Sequence, residues 1–202
     1  MTATRLALDL AVTLRHDGQG GVTDDLADTA GLTAWIRERA ALLDCAADPV
    51  TPDEALHTAV RELRAAVRAL FARAVRPGEP SSADAHRLLP EEEAVRRLNA
   101  AASLVPTTPR LSWAPDAPPA VRLSPAGSPP PADRILAALA RAAIAFLDGP
   151  ERALLRACPA PRCVRYFVKE HARQAWCKPS CGNRARVARH HQRQREGRRD
   201  GS

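Results

Sequence analysis

Hydrophobic residues recur along most of this chain at helical spacing, interrupted by short stretches of strict alternation. From Leu6 to Leu14, leucine and valine at 6, 8, 10, 12 and 14 alternate with Ala7, Asp9, Ala11 and Thr13. That period of two predicts a strand with one buried face. His16 to Asp25 follows as a polar, glycine-containing loop, and its Gly18-Gln19-Gly20-Gly21 cluster lacks the lysine and the spacing of a phosphate-binding loop. Leu32, Trp35, Ile36 and Leu43 share one helical face, with Arg39 at its edge. Thr51-Pro52-Asp53-Glu54 reads as a capping box opening the longest helix, whose stripe is Leu56, Val60, Leu63, Val67, Leu70 and Ala74. Arg61, Arg64 and Arg68 fall away from that stripe.

Ser81 to Ser103 is helical in character, with Pro90 and Glu91-Glu92-Glu93 marking a fresh N-terminus. Leu111-Ser112-Trp113 and Val121-Arg122-Leu123 alternate on either side of a proline-rich turn, which predicts an antiparallel hairpin. After the stiff connector Ala126 to Pro131, Leu136, Leu139, Ala143 and Leu147 mark one face of a helix over 133–147. These elements predict an α+β fold: a mainly helical N-terminal domain over 1–150, whose small antiparallel sheet joins the first strand to the hairpin. A small module over 151–197 and a disordered tail over 198–202 complete the chain.

The chemistry concentrates in that module. Four of the five cysteines form two close pairs, Cys158 with Cys163 and Cys177 with Cys181, thirteen residues apart. Two tight pairs joined by a short connector suit one tetrahedral ion, so the four thiols are the predicted ligands of Zn2+. Two disulfides or four unrelated core thiols are the rival readings. The first belongs to exported chains and the second to apolar surroundings, whereas these cysteines adjoin Pro, Arg and Lys. So short a module cannot build its own core, so metal binding becomes its folding energy. Cys45 belongs to neither pair and reads as a buried core thiol.

A basic run follows the last cysteine. Gly182 is expected at positive φ, Asn183 as N-cap, and a helix from Arg184 to about Gly197. At about 100° per residue, Arg186, Arg189 and Arg193 share a face while Arg184 and Arg195 point away. Asn183, Arg184, Arg186, Arg189 and Arg193 are therefore the candidate nucleic-acid contacts, with Arg184 the one suited to bracing the metal site instead.

Cys158, Cys163, the pair Tyr166-Phe167, Trp176-Cys177 and the sequence Cys181-Gly182-Asn183-Arg184 together resemble the CGNR-type zinc fingers at the C-terminus of bacterial proteins described as stress-induced transcription regulators. These proteins carry an N-terminal ABATE domain opening on Leu-Asp-(apolar)-(apolar)-Asn-Thr. The matching stretch is Leu8-Asp9-Leu10-Ala11-Val12-Thr13, with Val12 in place of the family's Asn. The resemblance implies DNA binding and transcription regulation in a stress response.

Charge sharpens the division. From Cys158 onward there are 12 Arg and Lys against 3 Asp and Glu, a balance of +9 within a chain of +7. The remainder carries 18 against 20, or −2, so the basicity belongs to the tail, as in a polyanion-binding module on an ordinary domain. The opening apolar stretch is interrupted by Asp9 and lacks a cleavage site, so a cytoplasmic protein with no membrane partner is expected. The leading expectation is a non-enzymatic, zinc-dependent nucleic-acid-binding regulator, with DNA the first target and an N-terminal domain that senses a signal or mediates assembly through an unidentified small-molecule or protein partner. A protein-interaction adaptor is the alternative, as is an N-terminal ligand-binding or enzymatic domain with an RNA-binding module. For the enzyme, Asp9, His16, Asp17, Asp24 and Asp25 supply acids and bases without a recognisable site spacing. Tyr166, Phe167 and Trp176 are expected to pack over the metal site, with base stacking as the rival role.

Overall fold

Leu6, Ala7, Leu10 and Ala11 are all buried, a spacing that only a helix gathers on one side. In the computed structural model, which describes residues 5–17, 21–43, 50–84 and 88–199, Arg5–Ala11 is helix α1 rather than the strand that the alternation predicts. The alternation misleads because Ala7 and Ala11, counted in the outward set, are apolar and small enough to let α1 pack closely on another helix. The strand is the short β1 (Leu14–His16), paired antiparallel with β2 (Val22–Asp24).

Helix α2 (Thr29–Glu38) is capped by Asp28, whose carboxylate accepts from the Gly31 amide at 2.7 Å. Glycine is required there, since a Cβ on Gly31 would lie 2.4 Å from the Asp25 carbonyl oxygen. The long helix α3 (Glu54–Ala74) starts at Asp53, which accepts from Leu56 N at 2.8 Å. The cap therefore falls two residues beyond Thr51. Its predicted stripe is buried from Leu56 to Leu70, but Arg64 and Arg68 are buried too, so α3 is enclosed on a second side that its sequence marks as polar.

Ser82–Asp84 form a turn instead of the expected helix, and α4 (Glu91–Ser103) begins after Pro90 as the proline and glutamates indicate. The hairpin forms as expected, β3 (Thr107–Ser112) against β4 (Ala120–Pro125), with Leu111 opposite Val121. Both faces of this ribbon are exposed, and it pairs with no other strand. Among the described residues the sheets are three separate two-stranded antiparallel ribbons, not one sheet joining first strand and hairpin, because helices supply most of the main core.

Helix α5 (Pro131–Asp148) packs against α1, α3 and α4. A 3₁₀ turn, Pro150–Leu154, then leads into the third ribbon, β5 (Leu155–Ala157) with β6 (Tyr166–Val168). Side chains alternate along β6 as on any strand: Tyr166 enters the main core, its ring 5.6 Å from Phe71, while Phe167 lies on the cysteine cluster. The ribbon thus belongs to both cores. The last helix, α6 (Pro179–Arg199), runs past Gly197, so residues 198 and 199 are helical where a disordered tail is expected. Cys45, Gly18 to Gly20 and residues 200–202 lie outside the described residues.

Candidate metal centre and basic helix

The turn from Cys158 to Cys163 is closed by the Cys163 amide donating to Ala160 O at 3.0 Å, with Arg162 in the left-handed region at φ 62°. The second pair straddles the start of α6. Pro179 stands at its first position, where a missing N–H costs nothing, and Cys181 follows in the first turn, fully buried. Helix and knuckle bring all four sulfurs within 4.8 Å of one another. The Sγ separations are 3.7 Å for Cys163–Cys177, 3.5 Å for Cys177–Cys181 and 3.8 Å for Cys163–Cys181. A tetrahedron with metal–sulfur bonds of about 2.3 Å has edges of about 3.8 Å. The cluster therefore has the size and the ligand set of a soft-metal tetrathiolate site, and all four cysteines are free thiols.

Four thiolates around a divalent ion carry net negative charge, and donors are arranged to meet it. The Cys177 amide points at Cys158 Sγ from 3.5 Å, and Arg184 donates from Nη2 to Cys181 Sγ at 3.2 Å. Without metal, hydrogen bonds from Cys158 and Cys177 hold the Cys163 thiol far below its ordinary range, while Cys177 is held above it. One thiol of the set is thus held ionised by hydrogen bonds that keep its neighbour protonated.

Gly182 is helical and does not take the positive φ expected of it. Its purpose is steric: a Cβ there would sit 3.2 Å from Cε3 of Trp176, whose ring packs on the cluster. Asn183 lies within the helix rather than at its cap, because the preceding Pro179 already starts it, and its Oδ1 accepts from Arg186. From Arg186 to Gln194 every side chain is exposed, including Arg189 and Arg193. Of the three aromatics, Phe167 and Trp176 cover the cluster while Tyr166, 1% exposed, is too deeply buried to meet a base.

Sequence reasoning missed the buried polar network beneath the cluster. Arg68 makes two hydrogen bonds to Asp84, at 2.8 and 3.0 Å, and others to Ala11 O, Ser81 Oγ and Val164 O. Tyr166 donates to Asp84 at 2.7 Å, and Ser81 Oγ donates to Val164 O at 2.8 Å. Ser82 Oγ donates to the carbonyl of Cys163 at 3.1 Å. A carbonyl of a cluster cysteine is therefore held from the N-terminal side. The only sequence signal was Arg64 and Arg68 one turn apart on a helix with apolar neighbours.

Three of the acids considered for catalysis each face an arginine. Asp24 takes two hydrogen bonds from Arg64, Asp25 is paired with Arg15, and Asp9 faces Arg39 at 3.7 Å.

Comparison with protein families places this architecture. A family model described as "ABATE: Putative stress-induced transcription regulator" matches residues 4–150, well over half of the chain. The chain belongs to the ABATE family. A second model, the CGNR zinc finger, matches residues 154–194, which takes in all four cysteines and most of α6. Both families are regulatory or metal-binding rather than catalytic, so this ABATE chain is not an enzyme. No curated protein matches it. Among its described residues, no helix is long and apolar enough to cross a membrane.

Proposed function

We propose that this ABATE-family protein is a cytoplasmic transcription regulator whose zinc-loaded module binds DNA through α6, with the N-terminal domain sensing a signal or mediating assembly. The observation that carries this reading is the exposed arginine face of a helix fixed at its N-terminus by the cysteine cluster. Cys158, Cys163, Cys177 and Cys181 hold one zinc ion, which supplies the folding energy of the module. Arg186, Arg189 and Arg193 contact phosphates or guanine edges, while Arg184 acts through Cys181.

Elemental analysis of the purified chain should return one zinc per protein, and none in a fully folded module would overturn the metal assignment. Binding to duplex DNA is then measured against salt for Arg186→Ala, Arg189→Ala and Arg193→Ala. Each phosphate that is no longer neutralised should flatten the log–log salt slope by roughly 0.9, or roughly 0.7 on a single strand. If all three variants keep the parent affinity and slope, α6 is not the contact surface, and the adaptor reading replaces this one.

A further inference from the structure

The hairpin of β3 and β4 sorts its side chains by face. Directly opposite residues share a face of a ribbon, and so do residues two apart along a strand. The register sets Thr107 opposite Pro125, Pro109 opposite Leu123 and Leu111 opposite Val121, which gathers Pro109, Leu111, Val121, Leu123 and Pro125 on one face. The other face holds Thr108, Arg110, Ser112, Ala120, Arg122 and Ser124, with the two arginines opposite each other. Such a division belongs to a ribbon with one face covered and one in water. Here the apolar face lies open: Leu111 and Val121 are each 67% exposed, and Leu123 is 66% exposed.

Trp113, which follows β3 directly, is 70% exposed. At these exposures the three aliphatic side chains and the indole present roughly 500 Å² of apolar surface, near the upper end of what a monomer shows. A two-stranded ribbon by itself is marginal in water, so the folded hairpin calls for a partner on this face. Two features narrow the choice. The face carries no charge, so a charged partner gains nothing there, and the arginines that would repel a second copy point away from it. Pro109 leaves the outer edge of β3 one donor short, which disfavours adding a strand there and leaves stacking of faces as the available contact. Two such faces laid together bury about 1,000 Å², the lower threshold of a specific interface.

We propose that the chain pairs with a second copy of itself by stacking the apolar faces of the two hairpins about a two-fold axis, Leu111, Val121 and Leu123 of each packing on those of the other. Such a contact uses the same patch on both copies, so it closes at two and leaves none over for further growth. Every copy carries the matching face, so the cover comes at equal stoichiometry and needs no other protein. The pairing gives the N-terminal domain its assembly role. A pair presents two α6 helices, and linked binding to two half-sites raises affinity without any new contact to DNA. That consequence rests on the proposed function of α6; the pairing itself does not.

The zinc-loaded full chain, free of nucleic acid, is measured by sedimentation equilibrium across the micromolar range. The expected mass is twice the 21.8 kDa of one chain. Leu111→Glu combined with Leu123→Glu places carboxylates on the apolar face and should weaken pairing at least tenfold, whereas Arg110→Ser on the opposite face should leave it within twofold. All three positions are exposed, so the single chain keeps its fold, which circular dichroism and zinc content check. A parent that stays monomeric overturns the proposal, including one that instead floats with phosphatidylcholine vesicles. So does a folded double variant that pairs like the parent, or an Arg110→Ser variant that pairs as poorly as the double one. The masses are read without nucleic acid, so failure of α6 to bind DNA leaves them standing, and a monomeric parent leaves the salt-slope test of α6 standing in turn.

Discussion

Arg184 stands one turn beyond Cys181, a thiol of the four-cysteine cluster. Its Nη2 donates to Cys181 Sγ, and the hydrogen bond of a cation to a sulfur that is ionised when metal is bound is worth about 1.5–3 kcal/mol. Arg184→Ala should therefore destabilise the metal-loaded module by about that amount and release zinc to a chelator faster than Arg189→Ala does. A metallochromic dye follows the release; equal rates in the two variants would remove Arg184 from the metal site. The contact with Cys181 agrees with the sequence pattern, in which Arg184 directly follows the knuckle and points away from the face of Arg186, Arg189 and Arg193. The reason for Gly182 was not legible there. A glycine beside a cysteine suggests a turn, but what crowds a side chain there is the ring of Trp176, six residues earlier, and only the folded knuckle brings the two together.

At the scale of elements, legibility followed the patterns that owe least to tertiary contacts. The proline-marked start of α4, the hairpin β3–β4 and the stripe of α3 all formed where local sequence put them. Helix α1 did not, because a short run in which Leu6, Leu8 and Leu10 alternate with Ala7 and Asp9 satisfies a period of two almost as well as one of 3.6. The second buried side of α3 was also hidden, since arginines read as solvent-facing until their partners are known. Arg68 and Asp84 are nearly enclosed, with side chains 3% and 8% exposed. Removing one partner strands the other's charge, so Arg68→Ala should cost about 3–5 kcal/mol in urea unfolding.

Asp24 makes the same kind of argument testable by pH. Burial pushes its carboxyl up, but the hydrogen bonds and charge of Arg64 outweigh that and leave it below its ordinary range. A depressed carboxylate pKa contributes stability that is present above the unfolded-state value and is lost as pH falls through the folded one. The parent should thus lose more stability than Asp24→Asn on acidification from neutrality, narrowing the gap between them. A constant gap across the acid range would mean that Asp24 contributes nothing through its charge.

Taken whole, the molecule has two family domains but no hinge of bare linker between their cores. Leu155 and Tyr166 follow the ABATE match in sequence yet are buried in the main core, and Ser81, Ser82 and Arg68 hold the carbonyls of Cys163 and Val164. From the sequence alone, the amphipathic helices imply that the N-terminal domain survives loss of the metal. The contacts argue otherwise. The ribbon whose connecting loop carries Cys158 and Cys163 also supplies the ring against Phe71 and the hydroxyl that donates to Asp84, so losing the knuckle should open the middle of the larger core. Zinc at a thousand times its dissociation constant stabilises by about 4.1 kcal/mol. For a chain of this size each kcal/mol moves the melting temperature by about 2–4 °C. Chelation, or Cys181→Ser, should therefore lower the single transition seen by circular dichroism and tryptophan fluorescence by roughly 8–16 °C, rather than splitting off a small early transition. If the α-helical transition stays at its parent temperature while the module melts separately, the network through Arg68 and Asp84 does not couple the two domains.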